Sequence, residues 1–317
     1  GVTAIIYDQP CATELRRKRR RGEAAEPGSR VYINTDVCEG CGDCSVQSNC
    51  ISVMPVETPF GRKREIAQSS CNKDMSCLKG FCPAMVTLDG ASLRKHGGVS
   101  GDPAAGLPAP RLPAFRRPHG ILIAGIGGTG VVTVGQILGV AAHLEGRGAA
   151  ALDFTGLAQK GGGVLTHLTL YPEPTEEASA RLAPGGADLL LAGDMVVATG
   201  PEAMKTLRRG HSLAVCNSSM TATANSVLDR DYALDEDALR AHIAQGTGEE
   251  NAHFVRASAL AEALTGDAIT ANMFLLGLAW QKGAVPLGEA AILRAIELNG
   301  VMCDDNKRAF AWGRRAA

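Results

Sequence analysis

No apolar run in this 317-residue sequence approaches the ~20 residues that a membrane-spanning helix needs, so no membrane association is expected. The opening GVTAIIYD is apolar but too short for a secretory leader, and no basic segment precedes it. Net charge is also lacking. Lys plus Arg number 32 and Asp plus Glu 33, which leaves no global field to draw in nucleic acid. The one basic run, RRKRRR at Arg16 to Arg21, has no aromatic residue interleaved with it. It therefore reads as a solvated linker able to meet an acidic partner surface, and nucleic-acid binding is not expected. No Ser/His/Asp or Cys/His arrangement for nucleophilic catalysis stands out, so no catalytic residue is assigned. An initiator Met is missing too, and Thr3 to Tyr7 reads as a buried strand, so the chain is expected to be a piece of something larger.

Cysteine, by contrast, is plentiful. Seven of the ten cysteines fall between Cys38 and Cys82. The first half runs C-x2-C-x2-C-x5-C through Cys38, Cys41, Cys44 and Cys50. The second runs C-x2-D-x2-C-x4-C-P through Cys71, Asp74, Cys77, Cys82 and Pro83. Three thiolates at x2 intervals wrap one corner of a cubane iron–sulfur cluster, and the remote cysteine of each motif reaches to the other cluster. The spacing thus assigns one [4Fe-4S] cluster to Cys38, Cys41, Cys44 and Cys82. A second falls to Cys71, Cys77, Cys50 and Asp74, and is either [4Fe-4S] or [3Fe-4S], because a carboxylate is a harder and weaker iron donor than a thiolate. Zinc is the competing reading, but four ligands satisfy zinc and a third cysteine at the next x2 interval is then surplus. A disulfide framework needs an oxidising compartment, whereas metal-ligand spacing indicates a reducing cytoplasm.

Short β-like segments, Val31 to Asn34 and Met85 to Leu88, flank this block, and the GRKRE segment at Gly61 to Glu65 reads as a polar loop or hairpin with exposed charges. Gly98 to Gly120 is rich in Gly and Pro and reads as an extended connector. A strand, glycine turn and helix follow, with G-x-G-x-x-G at Gly125, Gly127 and Gly130 and a further glycine at Gly128. With Asp153 downstream this is a dinucleotide signature, and it is equally what tight strand-to-helix packing requires. Gln159, Lys160 and Gly161 open a second glycine-rich turn, read either as an anion cradle or as a tight interface turn. Strands then alternate with helices: ADLLLA at Ala187 to Ala192, a helix over Met195 to Arg208, a strand from Ser212 and an acidic helix over Val227 to Gln245. A helix capped by Ser258 comes next, then helices over Ala271 to Lys282, Leu287 to Leu298 and Asp304 to Gly313. The fold class is α/β, a ferredoxin-like domain followed by a doubly wound Rossmann-like domain.

Taken together, DQPCATELRRKRRRG (Asp8 to Gly22), CEGCGDCSVQSNC (Cys38 to Cys50), GRKREIAQSSCNKDMSCLKGFCP (Gly61 to Pro83), GIGGTGVVT (Gly125 to Thr133), GLAQKGGGVLTH (Gly156 to His167) and NKRAFAWGR (Asn306 to Arg314) carry a resemblance. The chain resembles the fused indolepyruvate:ferredoxin oxidoreductases of the 2-oxoacid:ferredoxin oxidoreductase superfamily. That resemblance implies residues 1–29 as the tail of a thiamine-diphosphate-binding domain with a basic linker. It implies 30–90 as a ferredoxin-like domain, 91–119 as a Gly/Pro linker and 120–317 as a gamma-type Rossmann-like domain. The implied reaction is oxidative decarboxylation of an aryl 2-oxo acid on thiamine diphosphate and Mg, with CoA as co-substrate and single electrons passing to ferredoxin. No G-D-G…N pattern for the diphosphate metal is present, so that site is expected on a missing part or partner subunit, and this piece alone is expected to be inactive. The gamma-type domain is not a nucleotide dehydrogenase, so Gly125, Gly127, Gly128, Gly130, Gln159, Lys160 and Gly161 are expected to contact CoA or an interface. The alternative is an NAD(P)- or flavin-linked iron–sulfur reductase. A homo-oligomer is expected.

Overall fold

In the computed structural model, residues 2–6, 8, 11–92, 101–156, 162–175, 178–221 and 223–317 are described. They fall into two units, Gly1–Arg94 with Thr221–Ala233, and Lys95–Met220 with Leu234–Ala317.

The first unit is small. Helix α1 (Ala12–Arg20) precedes β1 (Ser29–Ile33), α2 (Asp43–Ser48), the hairpin β2 (Val53–Thr58) and β3 (Gly61–Ile66), and β4 (Met85–Asp89). The flanking strands β1 and β4 pair antiparallel, Ser29 opposite Asp89 and Ile33 opposite Met85. Val31, Ile33, Val53, Ile66 and Ala84 make a core to which the cysteines themselves contribute. Such a core is slight for independent folding, so ligands to the cysteines would supply much of the stability.

Three expectations fail in this unit. Residues 2–6 form no strand and lie exposed, because an apolar run needs a bonded neighbour strand and none of the described residues offers one. The basic run is a helix, since Arg and Lys are good helix formers; Arg16 donates to the Ser69 carbonyl and Arg19 to Asn72 at 2.7 Å. Within GRKRE, Arg64 is buried, because β3 alternates and sets it on the same face as Ile66.

The second unit opens with β5 (His119–Ile126), α3 (Val131–Leu144), β6 (Gly148–Thr155), β7 (Gly163–Tyr171), β8 (Leu189–Ala192), α4 (Met195–Ala198), α5 (Pro201–Met204) and β9 (Leu213–Asn217). A short helix, α6 (Ala224–Leu228), lies in the segment that belongs to the first unit. The chain returns with α7 (Glu236–Thr247), β10 (Ala252–Val255), α8 (Ala257–Thr265), α9 (Ala271–Gln281), α10 (Glu289–Asn299) and α11 (Cys303–Arg315). The six strands lie in the order β10-β9-β8-β5-β7-β6. All run parallel except β7, which is antiparallel to both neighbours.

Pleating divides the buried strands between two cores. Ile121, Ile123, Leu189, Leu191 and Val215 face α3, α9 and α10, whereas Leu122, Ala124, Leu190, Ala192 and Cys216 face Met195, Ala203 and Ile243. Both faces of the inner strands are therefore covered, as their near-continuous apolar sequences predict, whereas edge strand β6 is largely exposed. The expected helix over Met195 to Arg208 is two short helices, because Gly200 and Pro201 start a new one. Similarly, Val227 to Gln245 is broken between Leu228 and Glu236. Ser258 is not an N-cap: it lies inside α8, where its hydroxyl and amide both bond Asn217. Residues 101–118 form neither helix nor strand, yet Phe115 packs on the core beneath Arg147, 5.4 Å from ring centroid to guanidinium. Among the described residues no helix is long and apolar enough to cross a membrane.

Candidate metal centre

The two cysteine motifs are built as structural repeats. Cys38 and Cys71 each donate their amide to the carbonyl four residues back, Asn34 at 2.9 Å and Ala67 at 3.0 Å. Two residues on, the chain turns left-handed at Gly40 (φ 73°) and at Lys73 (φ 58°). There each backbone N–H donates to the preceding cysteine sulfur, Gly40 to Cys38 Sγ and Lys73 to Cys71 Sγ, both at 3.4 Å. A second left-handed residue follows in both, Gly42 (φ 83°) and Met75 (φ 58°), and one turn of helix starts after it. The remote cysteines match as well: Cys50 and Cys82 each accept, on the carbonyl, the amide three residues later. The repeat thus equates Cys41 with Asp74.

Asp74 behaves as a sulfur substitute at that position. Its Oδ1 accepts from Ser76 N–H at 3.0 Å and from the Ser76 hydroxyl at 2.7 Å. The N–H two residues on is the same donor that serves Cys38 and Cys71. An Asx turn makes this bond without any metal, so the bond fits either role.

Cys50, Cys71, Asp74 and Cys77 line one pocket, with Arg30 beside them. Burial, reinforced by Cys71, Cys50 and Asp74, pushes the Cys77 thiol up to about 11. Of the other set, Cys38 and Cys44 are neighbours, and Cys82 joins the same core. Cys41 is exposed and borders a different pocket with Gly42, Val46 and residues 227–231. Among the described residues no three His, Cys, Asp or Glu side chains converge on a single-ion position. The donor chemistry nevertheless fits iron–sulfur ligation. Thiols rather than imidazoles or carboxylates dominate, and backbone N–H groups already point at sulfur, the kind of contact that tunes such centres. Orphaned polar atoms add to the fit: Arg30 Nη1, Ser45 Oγ, Arg64 Nε and Asn72 Oδ1 are buried in this unit without a partner.

Arg64 is the residue that the sequence reading missed. The alternation of Arg64 with Ile66 was the available signal, overridden by the charge of the run. Gly40 and Gly42 have their own requirements. A Cβ on Gly40 would stand 2.3 Å from the Arg62 carbonyl oxygen, and one on Gly42 would meet Arg230 Cβ at 3.1 Å and Arg64 Nη2 at 3.4 Å.

The glycine turn of the second unit is committed to packing. A Cβ on Gly125 would lie 2.7 Å from Val131 Cγ2, and Gly128 and Gly130 are left-handed. Gly127 N–H bonds the Gly162 carbonyl at 2.8 Å, and Asn272 takes the Thr129 carbonyl at 2.6 Å. In a dinucleotide fold the acid after the second strand lies beside the first. Here β7 stands between them, and the Asp153 carboxylate is taken by the Thr166 hydroxyl at 2.5 Å. Gln159, Lys160 and Gly161 lie outside the described residues.

The family model described as pyruvate ferredoxin/flavodoxin oxidoreductase matches residues 120–316. Solved structures with a similar course include a pyruvate oxidoreductase subunit from Thermotoga maritima, at 20% identity and TM-score 0.45, covering 63% of this chain and 96% of that one. The gamma subunit of a keto/oxoacid ferredoxin oxidoreductase from Geobacter sulfurreducens gives 20% identity and TM-score 0.44, covering 63% and 99%. A 2-oxoglutarate:ferredoxin oxidoreductase from Magnetococcus marinus gives 17% and 0.47, covering 64% of this chain and 32% of that one. No curated protein matches the chain.

Proposed function

Because the chain belongs to the pyruvate ferredoxin/flavodoxin oxidoreductase family, we propose that it is the electron-carrying and gamma-type portion of a 2-oxo-acid:ferredoxin oxidoreductase acting on indolepyruvate or a related aryl 2-oxo acid. The observation that carries the electron-transfer half of this reading is the hydrogen-bonded repeat of the two cysteine motifs. Cys38, Cys41, Cys44 and Cys82 would hold one iron–sulfur cluster. Cys71, Cys77, Cys50 and Asp74 would hold the second. When bound, such centres take up and release single electrons. The protein's part is to fix the thiolates and supply N–H donors from Gly40 and Lys73. Thiamine diphosphate with Mg belongs to a partner domain or subunit, CoA is the acyl acceptor, ferredoxin receives the electrons, and the assembly is a cytoplasmic homo-oligomer.

Binding the group requires the thiols to ionise. Burial raises both Cys44 and Cys77, so loading releases protons and is favoured as pH rises. The glycine turn at Gly125, Gly127, Gly128 and Gly130 would serve as interface or CoA-contacting structure, beside the internal packing that Gly125 already serves. Anaerobic purification followed by iron and sulfide analysis tests the reading. About seven or eight iron atoms per chain are expected from two cubane-type centres. A colourless protein holding stoichiometric zinc ends it.

A further inference from the structure

Arg64 is 1% exposed, the largest fully buried side chain among the described residues. Its hydrogen bonds are few and long for a charged group. Nη1 donates to the Ser226 carbonyl and Nη2 to the Arg230 carbonyl, each at 3.4 Å, while Nε is buried with no partner at all. Among the described residues no carboxylate pairs with it, although half-buried Arg62, two residues earlier, has Glu57 at 2.5 Å. A buried cation without an anion is among the most costly things a fold can contain. The chain nevertheless arranges this burial deliberately. Thr221–Ala233 belongs to the first unit, and its α6, whose start carries a reciprocal Thr223–Ser226 cap, closes over the arginine. The guanidinium sits against the backbone of the first motif between Cys41 and Cys44, where a Cβ on Gly42 would meet Nη2 at 3.4 Å.

We propose that Arg64 is the counter-charge of the first cysteine motif: it balances the negative charge of an iron–thiolate group on Cys38, Cys41, Cys44 and Cys82, under a cover made by residues 221–233. This rests on the iron–sulfur reading and adds a residue outside the ligand set. Two consequences separate it from a packing role. One electron from a low-potential donor adds one negative charge beside Arg64 and breaks no bond, so the arginine favours the reduced state. In stripped protein the same arginine is an unbalanced buried charge, so it destabilises the fold.

The experiment uses the full chain, prepared anaerobically, as wild type, Arg64→Met and Arg64→Lys. Iron and sulfide are measured first, then the midpoint of each centre by electron paramagnetic resonance in a mediated titration, then thermal unfolding with and without chelator. Arg64→Met is expected to lower one midpoint, so that the ratio of reduced to oxidised centre at fixed potential falls at least tenfold, about 59 mV for one electron. The second midpoint stays put, and Arg64→Lys restores most of the first. Arg64→Met is further expected to melt lower than wild type when loaded and higher when stripped. Loss of iron from one centre in Arg64→Met, with retention in Arg64→Lys, also supports the proposal. Unchanged midpoints in loaded Arg64→Met, or equal destabilisation of loaded and stripped forms, overturn it. A wild type without iron overturns the iron–sulfur reading itself, and this proposal with it.

Discussion

Helices α9 and α11 touch backbone to backbone, and a single methyl group is enough to test how much depends on it. Each carries Phe-x-x-Gly, Phe274 to Gly277 and Phe310 to Gly313, and the two meet reciprocally. A Cβ on Gly313 would stand 1.9 Å from the Phe274 carbonyl oxygen, and one on Gly277 would stand 2.0 Å from that of Phe310. An ordinary contact begins near 3.4 Å, so Gly313→Ala forces the helices about 1.5 Å apart. Nothing soft can give way, because both obstacles are helix backbone and α9 is buried along its length. Overpacking of this kind costs ~1–3 kcal/mol or more, and parting the helices also forfeits a quarter to a half of each dispersion contact along the seam. Against this, Ala gains up to ~1 kcal/mol over Gly in a helix interior. A net loss of about 3 kcal/mol is expected, or roughly 10 °C in Tm for a unit of this size. Calorimetry or circular dichroism on the full chain reads it. The double variant Gly277→Ala with Gly313→Ala should lose clearly less than the sum, since helices already parted accept the second methyl. If Gly313→Ala melts at or above the wild-type temperature, helix propensity governs this site and the close-contact argument is wrong.

Gly40→Ala meets both a left-handed backbone and the Arg62 carbonyl, so it should remove about one cluster's worth of iron, close to half the total, while the centre on the Cys71 motif survives. Full iron retention would show that this turn yields. Asp74→Cys is expected to turn a three-iron or labile centre into a stable four-iron one; unaltered paramagnetic signals in both redox states would remove Asp74 from the ligand set. Asp188 gathers Gly120 N–H at 2.8 Å, Arg117 at 2.6 Å and His211 at 2.7 Å around one buried carboxylate. Burial opposes its ionisation, but these donors and His119 outweigh burial and hold its carboxyl below the usual range. Asp188→Asn should cost about 2 kcal/mol at neutral pH. The stabilisation is present above the unfolded value of ~3.9 and is lost as pH falls through the lower folded one, so the gap between the two proteins should begin to narrow below about pH 4 and close only below the folded value. A gap that does not narrow however far the pH is lowered would mean that shape, not charge, is what Asp188 contributes.

What could be read from the sequence was local. Cys71, Asp74 and Cys77 share one pocket because their short intervals fix where side chains of a turn can go, and Cys50 lines it from the other motif. Helices α3, α9, α10 and α11 were legible from apolar period and from the glycines and prolines at their ends. Strand order was not. The apolar run of β7 announces burial on both faces but says nothing of direction or neighbours, so its insertion between β5 and β6, which takes Asp153 away from the glycine turn, had no local signal. Arg64 was lost for a related reason. Its cover comes from residues more than 160 positions away in the chain, and charge alone argues for exposure.

The loan of Thr221–Ala233 to the amino-terminal unit constrains how such a protein can be divided. Cleaving or re-encoding the chain at the Gly/Pro stretch would deliver a cysteine-bearing piece without its lid, with a bare guanidinium in place of a sealed one. Any lineage or engineer separating the two halves into independent subunits must either supply that loop in trans or neutralise position 64 beforehand.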